Sequence, residues 1–356
     1  MFWRGVTLAL VLLLAACGGS DERAPFTDSR IPPSLGSADW PPPGWAWGLI
    51  QIGLTPPQRY GVAAPDAPPT IQALILPGYG QAAEDEFHLA NRLIKDNIEV
   101  WTLDGAGQGG SGRLGGPRDL GQAYSFDPDL IAIERFSSLT IKPTPQAPLV
   151  LIADGTAGLT ALRRMELGAP GVVGLVLRSP TARAPGGAAA SGVIADWAAR
   201  LGLKGLRTPG AAGWSRDGPE IGAGADPATA KAWRLANPDL RMGGPSLGWL
   251  AAFKALKGQI DANGLGRVAT PVLILNGAND PSADRAWRDQ FCRSLPRCVQ
   301  ARAGTETESE RQITAFIAAL RSQASVSAAP RPRDGRPQSI SPAHVHAGPH
   351  RRRRPR

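Results

Sequence analysis

Few groups in this chain of 356 residues can move a proton near neutral pH. It has four histidines, and His344, His346 and His350 all fall in a basic C-terminal stretch. Only His88 belongs to the body, in Glu86-Phe87-His88-Leu89, where it reads as a half-exposed helix residue rather than a base. A hydroxyl nucleophile needs a base to take its proton, so Thr156, with Asp154 nearby, has no partner for attack. Asp154-Gly155-Thr156 also matches a phosphate-transfer triplet, but no magnesium-binding set of carboxylates accompanies it. The spacing Gly105-x-Gly107-x-x-Gly110 fits a dinucleotide fingerprint, which works only where a helix begins at the loop and offers its amides to pyrophosphate. Here the chain continues Ser111-Gly112-Arg113-Leu114-Gly115-Gly116-Pro117, which cannot start a regular helix. Neither a cofactor nor a metal is expected.

The elements that would position any chemistry centre on Leu149–Leu162, LVLIADGTAGLTAL. Leu149 to Ile152 form a continuous apolar run, the pattern of a parallel strand covered on both faces. Gly155, Ala157 and Gly158 allow a sharp turn into a tightly packed helix. Further strands are expected at 45–54, 59–62, 71–76, 98–103, 172–177, 271–276 and near Cys298, with helices at 84–96, 126–140 and 308–321. Strands alternating with helices at this spacing imply a mostly parallel sheet. Between 181 and 266 the pattern changes to helical segments and Gly/Pro-rich loops, with tryptophans at 197, 214, 233 and 249. Val193, Ile194, Trp197, Ala198 and Leu201 share one helical face there.

Four segments carry a family resemblance. They are Pro77-Gly78-Tyr79-Gly80 after one strand, Asp104-x-x-Gly107-x-Gly109-x-Ser111 after the next, Asn237 to Leu250 (NPDLRMGGPSLGWL), and Gly277-Ala278-Asn279-Asp280 after a late strand. Over about residues 45–320 the chain resembles the lysophospholipase and monoacylglycerol lipase branch of the α/β-hydrolases, the serine aminopeptidase S33 type. The resemblance implies an α/β-hydrolase fold, with a mostly parallel central sheet, helices on both faces and an inserted helical cap that shapes an acyl pocket. It also assigns roles. Gly155 stands at the nucleophile position, where the branch has serine in G-x-S-x-G. Thr305 stands where the branch has its histidine, and Asp280 retains the acid. The backbone amides of Tyr79 and Thr156 take the oxyanion-hole positions. With nucleophile and base both replaced, the expectation is a noncatalytic pseudo-hydrolase that binds a lipid or small acyl ligand. The alternatives are a weak or atypical carboxylic-ester hydrolase, and an envelope structural protein.

The net charge of +9 does not argue for nucleic acid, because it is concentrated at one end. Residues 331–356 hold eight arginines against Asp334, leaving the rest of the chain only about +2. Arg351, Arg352, Arg353, Arg354 and Arg356 would suit an anionic surface. At the other end Arg4, the apolar run from Val6 and Leu14-Ala15-Ala16-Cys17 resemble a bacterial lipobox. That resemblance implies cleavage before Cys17, its lipidation, and attachment in the cell envelope, at the outer membrane facing the periplasm. In such an oxidising compartment Cys292 and Cys298 are expected to pair, two separate buried thiols being the alternative. The expected organisation is a signal peptide at 1–17, a Pro-rich spacer at 18–43, the core at 44–180 and 267–321, the cap at 181–266 and a disordered basic tail at 322–356.

Overall fold

The computed structural model describes residues 25–185, 201–222, 226–260, 262–278 and 280–328. Its strands are β1 (Ala46–Ile50), β2 (Gln58–Ala63), β3 (Ile71–Leu76), β4 (Ile98–Leu103), β5 (Leu149–Asp154), β6 (Val172–Arg178), β7 (Val272–Gly277) and β8 (Cys298–Ala303). They form one sheet in the order β1-β2-β4-β3-β5-β6-β7-β8. β1 and β2 make an antiparallel hairpin, β2 runs antiparallel to β4, and β3 to β8 are parallel.

The period of two along β5 divides the core. Leu149, Leu151 and Ala153 face a layer containing Phe136, Leu162 and Phe291, while Val150 and Ile152 face Leu89, Leu93, Ile313 and Ile317. Helices α1 (Phe87–Lys95) and α7 (Glu306–Ala328) therefore cover one face; α2 (Asp127–Arg135), α3 (Ala157–Glu166) and α6 (Ser282–Arg293) cover the other. After β6 the cap contributes α4 (Pro227–Ala236) and α5 (Leu247–Gln259). Ser246 caps α5 by accepting from the Trp249 amide at 3.1 Å. Trp249 then packs against Tyr79, with ring centroids 4.8 Å apart, and against Phe126 at 5.6 Å. The residues 193–198 of the expected cap face lie outside the described residues, as do the signal sequence with Cys17 and the arginines beyond 350.

Two expected boundaries move. Residues 25–43 are not a free spacer but a strap fastened to the body: Phe26 and Leu35 pack with Phe87, Trp233 and Leu240, and Asn237 holds the backbone of Arg30 on both sides. Prolines suit this strap because few of its backbone amides have a partner to lose. The last helix continues past Arg321 to Ala328, so the start of the expected tail is helical. Ser, Gln and Ala are tolerated in a helix even where no apolar period announces it. Cys292, at the end of α6, and Cys298, at the start of β8, form a disulfide with Cα atoms 5.5 Å apart.

Under the sheet, Asp129 of α2 accepts from the Ala106 amide at 2.8 Å and from Gln58 Nε2 at 3.2 Å, and no lysine or arginine among the described residues makes an ion pair with it. Burial pushes its carboxyl up to about 6. A folded-state value above the unfolded one of about 3.9 means that the folded chain holds the proton more tightly. Stability is then greatest below about pH 4 and falls as pH rises towards 6, by roughly 2–3 kcal/mol. Asp129→Asn should remove that fall and make the chain more stable than wild type at pH 7.5. Urea unfolding at pH 4.5 and 7.5 tests this, and parallel behaviour of the two proteins would refute it.

Candidate functional site

β5 ends at Asp154 and α3 begins at Ala157, so the turn between them is only Gly155-Thr156. Gly155 has φ +47, a conformation that L side chains rarely adopt and that this kind of turn requires of its central residue. A Cβ built there would meet no atom within 4 Å, so the place for a side chain is open, although none is present. The Gly155 amide donates to the Arg178 carbonyl at 2.9 Å, and its carbonyl accepts from the Thr181 amide at 3.2 Å. The turn is therefore fixed by the loop after β6.

The loop after β3 lies against this turn, but its amide is not free. Tyr79 N–H donates to Thr156 Oγ1 at 3.0 Å, so the hydroxyl of one expected oxyanion residue takes up the amide of the other. Gly78 N–H donates to Gln81 Oε1 at 2.6 Å, and Gln81 Nε2 donates to Asp154 Oδ2 at 3.2 Å. Gly80, at φ +78, allows the loop to meet the cap: a Cβ there would lie 2.3 Å from the Ile221 carbonyl oxygen.

Asp280 lies just past β7, where the sequence put it. Its Oδ2 accepts from the Gly277 amide at 2.6 Å, from Ser179 Oγ at 3.0 Å and from Arg288 Nη1. Arg288, buried on α6, also donates to the Pro180 carbonyl at 2.6 Å and to Asn276 Oδ1 at 2.9 Å. The acid that would orient an imidazole thus holds a guanidinium instead. Thr305 serves as a helix cap: its Oγ1 accepts from the Glu308 amide at 3.2 Å, while Glu308 Oε2 accepts from the Gly304 amide at 2.8 Å.

Gly155, Thr156, Tyr79, Asp280 and Thr305 all line one cavity of about 870 Å³ between the sheet and the cap, so the structure brings these predicted positions together. The cavity wall is more acidic than the expected acyl pocket. Arg178, at the end of β6, binds both Asp154 and Glu86. Burial still drives the Glu86 carboxyl well above its usual range, with Arg178 opposing. His88 reaches Glu310 of α7 through Nδ1. Burial works against its imidazolium, but Glu310 outweighs that and the pKa is raised.

Sequence reasoning missed Arg288, Ser179, Arg178 and Gln81. Ser179 carried one signal, being the residue between a buried strand and a proline; it has φ +42, which is uncommon for serine. Arg288 carried none: Asp280 and Asn276 lie 8 and 12 positions before it, but nothing in that spacing shows that α6 turns its side chain back towards the end of β7 and the Pro180 carbonyl.

Residues 67–303 match the family described as serine aminopeptidase, S33. Lysophospholipase L2 of Escherichia coli strain K12 is 27% identical over 240 residues, which are 60% of this chain and 63% of that protein. Among solved structures, a soluble variant of monoglyceride lipase from Saccharomyces cerevisiae superposes with a TM-score of 0.58 at 16% identity, over 83% of this chain and 99% of that one. A highly thermostable carboxyl esterase from Bacillus coagulans gives 0.58 at 14% identity, over 78% and 99%. Both superpose on the fold described above, the mostly parallel sheet with helices on both faces. By its sequence and this architecture, the chain belongs to the serine aminopeptidase S33 family, in the lysophospholipase-like branch of the α/β-hydrolase fold.

Proposed function

We propose that the chain binds a lipid-derived ligand in the cavity beneath its cap and does not cleave it by a serine mechanism. The observation that carries this reading is Gly155, which occupies the nucleophile turn with no atom to attack a carbonyl. Arg288 on Asp280 and Thr156 on the Tyr79 amide support it, because each satisfies a group that a hydrolase keeps for its reaction. Loss of nucleophile or base alone costs serine hydrolases on the order of 10⁶ in rate, and here both are replaced. The purified chain is expected to take no label from a fluorophosphonate probe and to show no burst with an activated short-chain ester. Labelling that survives Gly155→Ala but vanishes in Thr156→Ala would overturn the proposal.

The similarity to Lysophospholipase L2 favours a second reading, carboxylic-ester hydrolysis by an atypical route in the same cavity. Fatty-acid release from a lysophospholipid that persists through repurification and is lost in Thr156→Ala would decide for it.

In this proposal the protein is exported and held to a membrane by lipidated Cys17. Pro25, where the strap begins, lies eight positions after Cys17, so the tether spans at most about 28 Å. Cys17→Ser should leave an unprocessed, unacylated precursor, and a mature wild-type chain with a free, unlipidated N-terminus would rule the tether out. Arg351 to Arg354 and Arg356 add a salt-sensitive attraction to anionic lipid of about 1 kcal/mol each. In a soluble form lacking Cys17, deleting 331–356 should abolish binding to anionic vesicles at low salt without changing the melting of the body.

A further inference from the structure

The acids on the cavity wall come with cations. Glu84 is paired with Arg59, Asp85 with Arg234, Glu86 and Asp154 with Arg178, Asp280 with Arg288, and Glu220 with Lys231. One group breaks this rule. Glu306 and Glu310 lie one turn apart on α7 and so share a helix face, and His88 meets them from α1. A ring nitrogen of His88 and a carboxylate oxygen from each glutamate all lie within 4.8 Å of one another. Among the described residues, no lysine or arginine makes an ion pair with Glu306 or Glu310; the partner of Glu310 is His88. Asp39, from the strap, and Asp226, at the start of α4, line the same cavity and add two further carboxylates. A single imidazolium balances only one of these four charges.

We propose that His88, Glu306 and Glu310 form a binding site for a divalent cation of the zinc class. The donor set selects the ion. Calcium takes six to eight oxygens, whereas an imidazole with two carboxylates matches zinc, which accepts nitrogen and oxygen at about 2.0–2.2 Å in tetrahedral geometry. Glu310 is buried behind them, its side chain 8% exposed, while Glu306 and His88 line the cavity. The ion replaces the direct His88–Glu310 contact by bridging both groups. Three protein ligands leave its fourth position facing the cavity that holds Gly155 and Thr305, where a carboxylate, phosphate or carbonyl oxygen of a ligand binds. This inference stands apart from the proposal that no serine chemistry occurs, because it concerns side chains of α1 and α7 and not the turn after β5.

The test is equilibrium dialysis of the full chain against Zn²⁺, in a background of His344→Ala, His346→Ala and His350→Ala so that the tail imidazoles do not bind. One equivalent of zinc per chain is expected. Glu306→Gln and Glu310→Gln should each weaken it at least tenfold, and Glu134→Gln, on the far face, should not. Co²⁺ in place of Zn²⁺ should give the visible bands of a tetrahedral site in the parent and not in the glutamine variants. Glu306 lies in the accessible first turn of α7, so its glutamine variant folds whatever the role of the cluster. If His88 and Glu310 only staple α1 to α7, Glu310→Gln lowers the melting temperature and zinc has no effect on any variant. That result, or zinc binding unchanged in both glutamine variants, overturns the proposal.

Discussion

Gly155→Ser combined with Thr305→His is expected to make the chain react with a fluorophosphonate, and neither substitution alone should do so. The elbow already has the backbone for a nucleophile: φ at 155 is +47 and no atom lies within 4 Å of a Cβ built there. A serine at such a φ stores strain of about 1–3 kcal/mol, which the fixed turn can bear because Arg178 and Thr181 hold it on both sides. Without a base the serine stays protonated and inert, so the single variant should match wild type. Adding histidine at 305, on the wall of the same cavity, supplies general-base catalysis worth about 10²–10⁴. Ester hydrolysis by the double variant should therefore exceed wild type by at least ~100-fold. It should remain well below that of an intact triad, because Arg288 competes for Asp280 and Thr156 Oγ1 occupies the Tyr79 amide. Adding Thr156→Ala to the double variant should release that amide and raise the rate again. Equal labelling of the single and double serine variants would show that 305 is not the base position, and a folded double variant without label would reject the assignment of the elbow.

What the sequence made legible were features whose cause is local. A four-residue apolar run that stops at a glycine turn is too short for a helix and reads as a buried strand, and the turn glycine follows from the φ that the turn needs. Substitution of serine and histidine was readable in the same way, as missing residue types at motif positions. What those positions do instead was not readable. Thr156 turns its hydroxyl onto Tyr79, 77 positions earlier, and Arg288 reaches Asp280 only because α6 folds back on β7. The strap shows the same limit. Its prolines and polar residues suggested a free linker, yet Phe26 and Leu35 find an apolar site made by α1 and the cap, which exists only once both have folded.

Arg59→Met should destabilise the body by about 3–5 kcal/mol, the cost of breaking a buried ion pair by removing one partner. Arg59 is fully buried and its guanidinium satisfies two carboxylates at once: Nη1 and Nη2 each lie 2.7 Å from Glu84, and Nε lies 2.8 Å from Asp104. Trp47 covers it at 4.1 Å from the ring centroid, and Phe26 of the strap at 5.7 Å. Methionine replaces the volume but leaves Glu84 and Asp104 charged and dry. Their carboxyls then titrate in the folded state above the unfolded values of about 4, so the deficit should be largest above pH 6 and shrink as pH falls and they become neutral. At pH 7.5 the melting temperature should drop on the order of 10 °C. The strap should loosen with it, since Ser29 donates to Glu84 and Phe26 packs over the lost guanidinium; protease cleavage within residues 25–43 should accelerate before the body unfolds. Adding Glu84→Gln and Asp104→Asn to Arg59→Met separates charge from packing. Recovery of most of the lost stability identifies the uncompensated carboxylates as the cause, because none of the three charges of this site remains in the triple variant. A triple variant as unstable as Arg59→Met alone, or a deficit that does not change between pH 5 and 7.5, would mean that the arginine acts through packing beneath Trp47 and not through its charge.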